Sequence, residues 1–317
     1  MVEKLRDKKD LKVQTSGSTG SPKTIELPYS TIKASAEKTN EFFGLNENKT
    51  SMLCLSPNTI AGKMMIARAY FGGYEIICQE PNSNPLEHSE RHFDFIAMVP
   101  LQLKASLKHM LTMQWQPQIL IGGGPIPDSV KKELIRNDLT LYHSYGMTET
   151  ASHVAIKTVN ADSPDYYVAV NGVRFRTNEN QQLIIDSPDL GVENLVTNDC
   201  VELLSPTTFR WLGRSDFVIN SGGVKIHPEV LEKKWNEILD SAMFLCSEPD
   251  ETLGERLVGY FEGEEINLDQ SVIKSSFHVY EIPKAYYLVS KFERSESGKI
   301  LKEETKRLTK KKFEPLL

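Results

Sequence analysis

The sequence predicts an α/β protein: an N-terminal α/β sheet domain with an antiparallel β portion, followed by a small α+β domain. Three observations predict it. From about residue 50 to 145, short apolar runs alternate with helical stretches; between about 165 and 213 the pattern changes to short alternating strands; after Arg214 strand and helix patterns alternate again.

In the first region the order is SMLCLS, a helix in GKMMIARAYFGG, YEIICQ, FDFIAMV, a helix over Leu101 to Met113, QILIGG, a helix from Asp128 to Arg136, and LTLYHSY. Such alternation builds βαβ units around a parallel sheet. The second region holds YYVAV, VRFRT, QLIID, CVELL and FRWLG, broken by Asn, Asp, Gly and Pro. Short alternating runs between turn residues read as an antiparallel sheet or a small barrel. Beyond it, Pro228 suits the first turn of a helix. The lysine-rich LKEETKRLTKKKF reads as a solvated helix rather than a binding tail, and no internal repeat is present.

At 317 residues and 39% hydrophobic content the chain can bury a full core, and its length suggests two domains. A net charge of -6 gives no global attraction to nucleic acid or to an anionic membrane, so any anion site must be local. The start, MVEKLRDKKDLKVQ, is charged, and no run approaches the ~18 apolar residues a bilayer crossing needs. A cytoplasmic protein with no membrane or nucleic-acid partner is expected. Cys54, Cys78, Cys200 and Cys246 stand singly, without metal-ligand spacing, and read as buried or incidental thiols.

Four segments carry chemistry. TSGSTGSPK, Thr15 to Lys23, follows a strand and combines hydroxyls, two glycines and a lysine. Glycines let backbone N–H groups approach an anion, hydroxyls add donors and lysine adds charge. Its spacing is not that of a Walker A loop, and by itself it also fits a plain flexible loop. SYGMTET, Ser144 to Thr150, and GGGP, Gly122 to Pro125, each end a strand, where open α/β sheets bind ligands. Glu149 suits Mg²⁺ and Thr148 a phosphate, though a turn entering a helix explains the segment equally well.

The third segment runs from Asp199 to Glu229. An aspartate can accept both hydroxyls of a ribose, and Arg214 can bind ribose or phosphate; alone, Arg214 and Asp216 read as a surface ion pair. The fourth is FERSESGKI with Lys299, a lysine that in isolation is simply solvated.

Taken in order, TSGSTGSPK, YGMTE, Asp199, GRSDFVINSGGVKIHPEVLE and SGKI resemble the signature set of the adenylate-forming superfamily, which includes acyl-CoA synthetases, luciferases and peptide-synthetase adenylation domains. Within it, AMVPLQL (97–103), ILIGGGPIP (119–127), YGMTETASHV (145–154) and the SGG at 221–223 are similar to the o-succinylbenzoate–CoA ligases of menaquinone biosynthesis. The resemblance implies an N-terminal ATP- and acyl-binding domain over 1–213, a hinge at 214–216 with Asp216 as pivot, and a mobile C-terminal lid over 217–317.

It also implies roles. Thr15, Ser16, Gly17, Ser18, Thr19, Gly20 and Lys23 would hold the β- and γ-phosphates of ATP, Glu149 Mg²⁺ and Thr148 the α-phosphate. Gly122, Gly123, Gly124, Ser144, Tyr145 and Gly146 would form the adenine pocket, and Asp199 and Arg214 would bind the ribose. Lys299 would bridge the acid and the α-phosphate, Ser221, Gly222 and Gly223 would face coenzyme A, and Arg68 would meet a second carboxylate on the substrate. The acid, ATP and coenzyme A are the implied small-molecule partners.

Two departures stand out. Only 14 residues precede Thr15, where the superfamily carries more than a hundred. A shortened N-terminal domain is therefore expected, with self-association into a homo-oligomer as a way to cover an exposed apolar sheet face. Pro57, Asn58 and Thr59 also replace an aromatic-His segment, and Thr24 follows Lys23 where glycine is common. A ligase for another aromatic or fatty acid, and a nucleotide-binding module that needs a partner, stay open at this point.

Overall fold

The computed structural model describes all residues except 15–23, 88, 90, 240, 267–268, 295–299 and 314–317. The chain divides into two compact units: Met1–Arg176 with Ile184–Val196 and Leu203–Arg210, and Thr177–Leu183 with Thr197–Glu202 and Trp211–Leu317.

The first unit opens with α1 (Val2–Arg6), β1 (Leu11–Gln14), β2 (Thr24–Leu27) and α2 (Tyr29–Phe43). A βα series follows: β3 (Thr50–Leu53), α3 (Ile60–Gly72), β4 (Glu75–Cys78), β5 (Phe95–Met98), α4 (Pro100–Met110), β6 (Gln118–Ile121), α5 (Asp128–Arg136) and β7 (Leu141–Gly146). Next come β8 (His153–Val159) and β9 (Tyr167–Ala169). Neighbouring strands run in the order β9-β8-β7-β6-β5-β3-β4. The pairs from β7 to β4 are parallel, and β7–β8 and β8–β9 are antiparallel.

A strand sends successive side chains to opposite faces. Ile96, Met98, Ile119 and Ile121 accordingly meet Leu103 and Met110 of α4 and Val130 and Leu134 of α5. On the other face Phe95 packs against Phe43 of α2, ring centroids 4.9 Å apart. Cover on both faces explains why these strands read as continuous apolar runs.

A separate core joins Leu11 and Val13 of β1, Leu27 of β2, Ile32 and Ala36 of α2, Met64 and Ala67 of α3, and Ala151. Cys54, just past β3, is fully buried, donates to the Ala97 carbonyl at 3.4 Å, and burial pushes its thiol up to about 12. All four cysteines are free, and Cys78 is exposed.

Four strands follow, β10 (Arg174–Thr177), β11 (Gln182–Ser187), β12 (Val192–Ser205) and β13 (Thr208–Arg214), which adjoin in that order and divide their residues between the two units. They form open sheet, not a barrel. β13 pairs antiparallel with β9, Phe209 opposite Tyr167.

The second unit continues with β14 (Ile219–Ser221), β15 (Val224–Ile226), α6 (Pro228–Asn236), β16 (Met243–Asp250), β17 (Gly254–Glu262), α7 (Gln270–Ser276), β18 (Ala285–Val289), α8 (Lys302–Lys306) and β19 (Lys311–Phe313). Pro228 occupies the first turn of α6, as its fixed φ favours. The sheet order is β15-β14-β17-β18-β19, with β16 pairing β17. One face packs on Trp235 of α6 and Phe277, stacked at 4.4 Å; the other packs Val258, Tyr260, Ala285 and Tyr287 with Phe244 and Phe292. The mixed α/β class expected from the sequence is the one observed. Its lysine-rich end forms a short helix and then a strand, where the sequence suggested helix alone.

Candidate active site

The loop Thr15 to Lys23 lies outside the described residues, whereas the strands that flank it are described. β1 and β2 pair antiparallel with Gln14 opposite Thr24. Leu11, Val13 and Leu27 share their core with Met64 and Ala67 of α3 and with Ala151, which follows the short turn Thr148–Thr150. Three distant stretches of sequence are thereby brought together: the base of the proposed phosphate loop, the helix of Arg68, and the turn of Thr148 and Glu149.

That turn is held from within. Thr150 Oγ1 donates to a carbonyl, of Ser152 at 2.6 Å or of Met147 at 3.0 Å, and the Met147 N–H donates back to it at 3.2 Å. Ala151 has a φ of 57°, a positive value that costs a residue with a Cβ of order 1 kcal/mol. The chain reverses there and enters β8 with Ser152 facing α3. Glu149 is exposed, and no carboxyl, thiol or imidazole group among the described residues joins it in a cluster of three or more.

Arg68 lies on the buried face of α3, 3% exposed. An arginine at the end of a helix can reach solvent; this one is central, and its neighbours Met64, Met65, Ala67 and Ala69 are buried with it. One Nη donates to Ser152 Oγ at 2.6 Å, the other approaches Met65 Sδ at 3.5 Å, and Nε has no partner among the described residues. No carboxylate among the described residues pairs with it. Burial pushes the guanidinium down to about 10, so it remains charged at neutral pH. Behind Ser152, His153 is 6% exposed, and burial, then the charge of Arg68, hold its imidazole well below its ordinary value.

Gly122 to Gly124 form the loop after β6, and Ser144 and Tyr145 end β7. Ser144 Oγ donates to the Ile121 carbonyl at 2.9 Å, and His143 Nε2 donates to the Gly124 carbonyl at 3.0 Å. His143 Nδ1 meets Tyr167 OH at 3.0 Å, and Tyr145 packs against both Tyr167 and Phe209. Gly146 sits at a register shift between β7 and β8. A Cβ there would lie 2.3 Å from the Ser152 carbonyl oxygen, so only glycine fits.

The second unit holds the remaining sequence-predicted residues. Asp199 on β12 accepts from Trp211 Nε1 at 3.0 Å. Arg214 Nη2 donates to Asp216 Oδ2 at 2.7 Å, and this bond raises the guanidinium further. The Arg214 N–H donates to Glu229 Oε1 at 3.2 Å, and burial raises the Glu229 carboxyl. Ser221 ends β14; Gly222 and Gly223 make its turn into β15 at φ 58° and 84°, which glycine adopts without strain. Lys299 lies outside the described residues. Sequence reasoning passed over Ser152, His153, His143, Trp211 and Glu229, whose partners are remote in the chain; only the Trp beside GRSD carried a local hint.

Among the described residues no helix is long and apolar enough to cross a membrane. A family model described as AMP-binding enzyme matches residues 13–187. A solved acyl-CoA synthetase (AMP-forming)/AMP-acid ligase II-like protein from Dyadobacter fermentans is 33% identical, with 96% of this chain and 91% of that one covered and a TM-score of 0.65. The 2-succinylbenzoate–CoA ligase of Bacillus cytotoxicus is 22% identical, with 95% of this chain covering 70% of that protein. The Bacillus subtilis o-succinylbenzoate coenzyme A synthetase, solved with ATP and magnesium ion, shares the fold at a TM-score of 0.78 and 20% identity, over 93% of this chain and 69% of that one. The family match over more than half of the chain, together with that 33% identity, settles the assignment: the chain belongs to the AMP-binding enzymes, as an AMP-forming acyl-CoA ligase.

Proposed function

We propose that the chain is an ATP-dependent ligase that converts o-succinylbenzoate to its coenzyme A thioester through an acyl-adenylate. The observation that carries the choice of acid is Arg68, a charged guanidinium 3% exposed with no carboxylate partner among the described residues. A buried charge is costly unless paired. A substrate with a second carboxylate supplies the missing partner. The 2-succinylbenzoate–CoA ligases among the relatives support the same acid.

A carboxylate is a weak electrophile, so it is activated first. Its oxygen bonds to the α-phosphorus of ATP, the bond from that phosphorus to the bridging oxygen breaks, and pyrophosphate leaves. The protein contributes position and charge. The Thr15 to Lys23 loop holds the outer phosphates, Thr148 donates to the α-phosphate, and Lys299 bridges the acid and the α-phosphate. Gly122 to Gly124 with Ser144, Tyr145 and Gly146 line the adenine, and Asp199 and Arg214 hold the ribose. Glu149, an exposed carboxylate, would hold Mg²⁺, which when bound would neutralise phosphate charge.

In the second step the thiolate of coenzyme A attacks the acyl carbon, the bond to the phosphate oxygen breaks, and AMP leaves. Asp216 acts as the pivot that withdraws Lys299 and presents Ser221 to Gly223. ATP–pyrophosphate exchange across a panel of acids tests the reading. Exchange with o-succinylbenzoate well above that with monocarboxylates is expected. Exchange without that preference replaces the acid with another aromatic or fatty one, and no exchange with any acid points to a nucleotide-binding module that needs a partner.

A further inference from the structure

We propose that Ser152, His153 and Thr39 form a one-directional hydrogen-bond relay that positions the Arg68 guanidinium, making His153 a positioning residue for selection of a second substrate carboxylate. The proposal rests on the reading above that Arg68 meets that carboxylate.

The direction follows from which atoms can donate. Arginine only donates, so Ser152 Oγ accepts from Arg68 at 2.6 Å. The single hydroxyl proton of Ser152 is then free for His153 Nδ1, 3.3 Å away. With Nδ1 accepting, a neutral ring carries its proton on Nε2, which faces Thr39 Oγ1 at 3.3 Å. Thr39 in turn donates to the Ser35 carbonyl at 3.0 Å, within α2. The line ends on a helix backbone, and each donor along it has an acceptor.

Burial makes this order costly to disturb. Thr39 is fully buried, and Arg68 and His153 nearly so. A doubly protonated His153 would aim an N–H at a hydroxyl already accepting from Arg68 and would place a second positive charge beside the guanidinium. The helix of Arg68 is tied from the same side: Asn40 Nδ2 donates to the Arg68 carbonyl at 2.9 Å, and Tyr74 OH donates to Asn40 Oδ1 at 3.4 Å. The relay occupies one Nη of Arg68 and leaves Nε without a partner among the described residues. A histidine that only filled the core would need neither a defined tautomer nor a line of donors that begins at the arginine.

The test compares o-succinylbenzoate with the same acid whose second carboxylate is capped as a methyl ester. His153→Phe is expected to raise KM for the diacid roughly tenfold, as loss of an outer-shell partner commonly does, with kcat little changed and KM for the ester unmoved. His153→Gln, which can accept and donate along the same line, should restore much of the loss. Should His153→Phe fold poorly, Thr39→Val, nearly equal in volume, should shift the diacid-to-ester ratio in the same direction.

Arg68→Ala is measured in parallel. A collapsed ratio in Arg68→Ala with an unchanged ratio in the His153 and Thr39 variants overturns the relay alone; an unchanged ratio in Arg68→Ala overturns both the relay and the reading on which it rests. Long-range ¹⁵N–¹H spectra supply a second readout. A single Nε2–H tautomer at His153 is expected near neutral pH, and an Nδ1–H tautomer would sink the relay.

Discussion

Arg68 and Ser152 stand 84 positions apart in sequence and 2.6 Å apart in space. That one hydrogen bond ties the middle of α3 to the first residue beyond the Thr148–Ala151 reversal. The residue proposed to read the acid is thus coupled to the turn proposed to hold phosphate and Mg²⁺. Packing reinforces the link, since Met64 and Ala67 of α3 share a core with Ala151.

Replacing the guanidinium should separate substrates by charge. Arg68→Ala is expected to lose on the order of 2 to 5 kcal/mol in kcat/KM for a dicarboxylate, with little change for a monocarboxylate. Steady-state kinetics with matched acids measure it, and an equal loss on both acids would remove Arg68 from substrate recognition.

Gly146 tests the coupling from the backbone. In Gly146→Ala the new Cβ would fall 2.3 Å from the Ser152 carbonyl oxygen and 2.5 Å from His153 Cα, both backbone atoms that cannot swing aside. A loss of about 1 to 3 kcal/mol in urea unfolding is expected. Gly122→Ala serves as the milder comparison, since its nearest contact is the movable Ser144 hydroxyl at 2.8 Å. Equal tolerance of both changes would contradict the packing described for the β7–β8 junction.

The two half-reactions should part at Lys299. Lys299→Ala is expected to abolish adenylate formation, followed by pyrophosphate exchange, while thioester formation from a supplied acyl-adenylate stays largely intact. Matching losses in both steps would count against the assigned role.

Stability should respond to pH through Glu229. Burial raises its carboxyl above the ordinary 4.5, so the folded protein binds that proton more tightly than the unfolded chain. Its contribution is therefore fully present below about 4.5 and is lost as pH rises through the folded value. Glu229→Gln cannot ionise yet keeps an oxygen for the Arg214 N–H. Relative to the parent, the variant should gain stability in denaturant titrations as pH rises from about 4.5 through the folded value; a relative loss would reverse the argument.

The elements that could be read in advance were those whose buried face is apolar. The helix expected over Asp128 to Arg136 appears with those bounds, since Val130 and Leu134 mark its core side. α2 left no such mark, because Thr31, Ser35, Thr39 and Asn40 share its buried face with Ile32, Ala36 and Phe43. Thr31, Thr39 and Asn40 are hydrogen-bonded through tertiary contacts, so the helical period was hidden in the sequence by the groups that make α2 useful to the site. β8 was hidden in a similar way, since it begins at the buried His153. CVELL marked only the end of β12; its earlier stretch, VENLVTND, is rich in Asn, Asp and Glu and reads as turn.

The site was legible as an ordered set of short loops and illegible as a network. Arg68 could be singled out as a charge on an apolar helix, whereas nothing near Ser152 or His153 announced a bond to it. Hydroxyl and imidazole partners carry no periodic signature, and their meaning arises only when the fold closes the distance.

Cys54 lies at the carboxyl end of the parallel sheet, where β3 stops and the chain turns toward α3. Burial pushes its thiol up to about 12, so it stays protonated at neutral pH. An acyl-adenylate is an electrophile that reacts with thiolates wherever it meets them. Kept protonated and fully buried, this cysteine is a poor nucleophile, and no competition with coenzyme A for the acyl group of the proposed intermediate is expected from it.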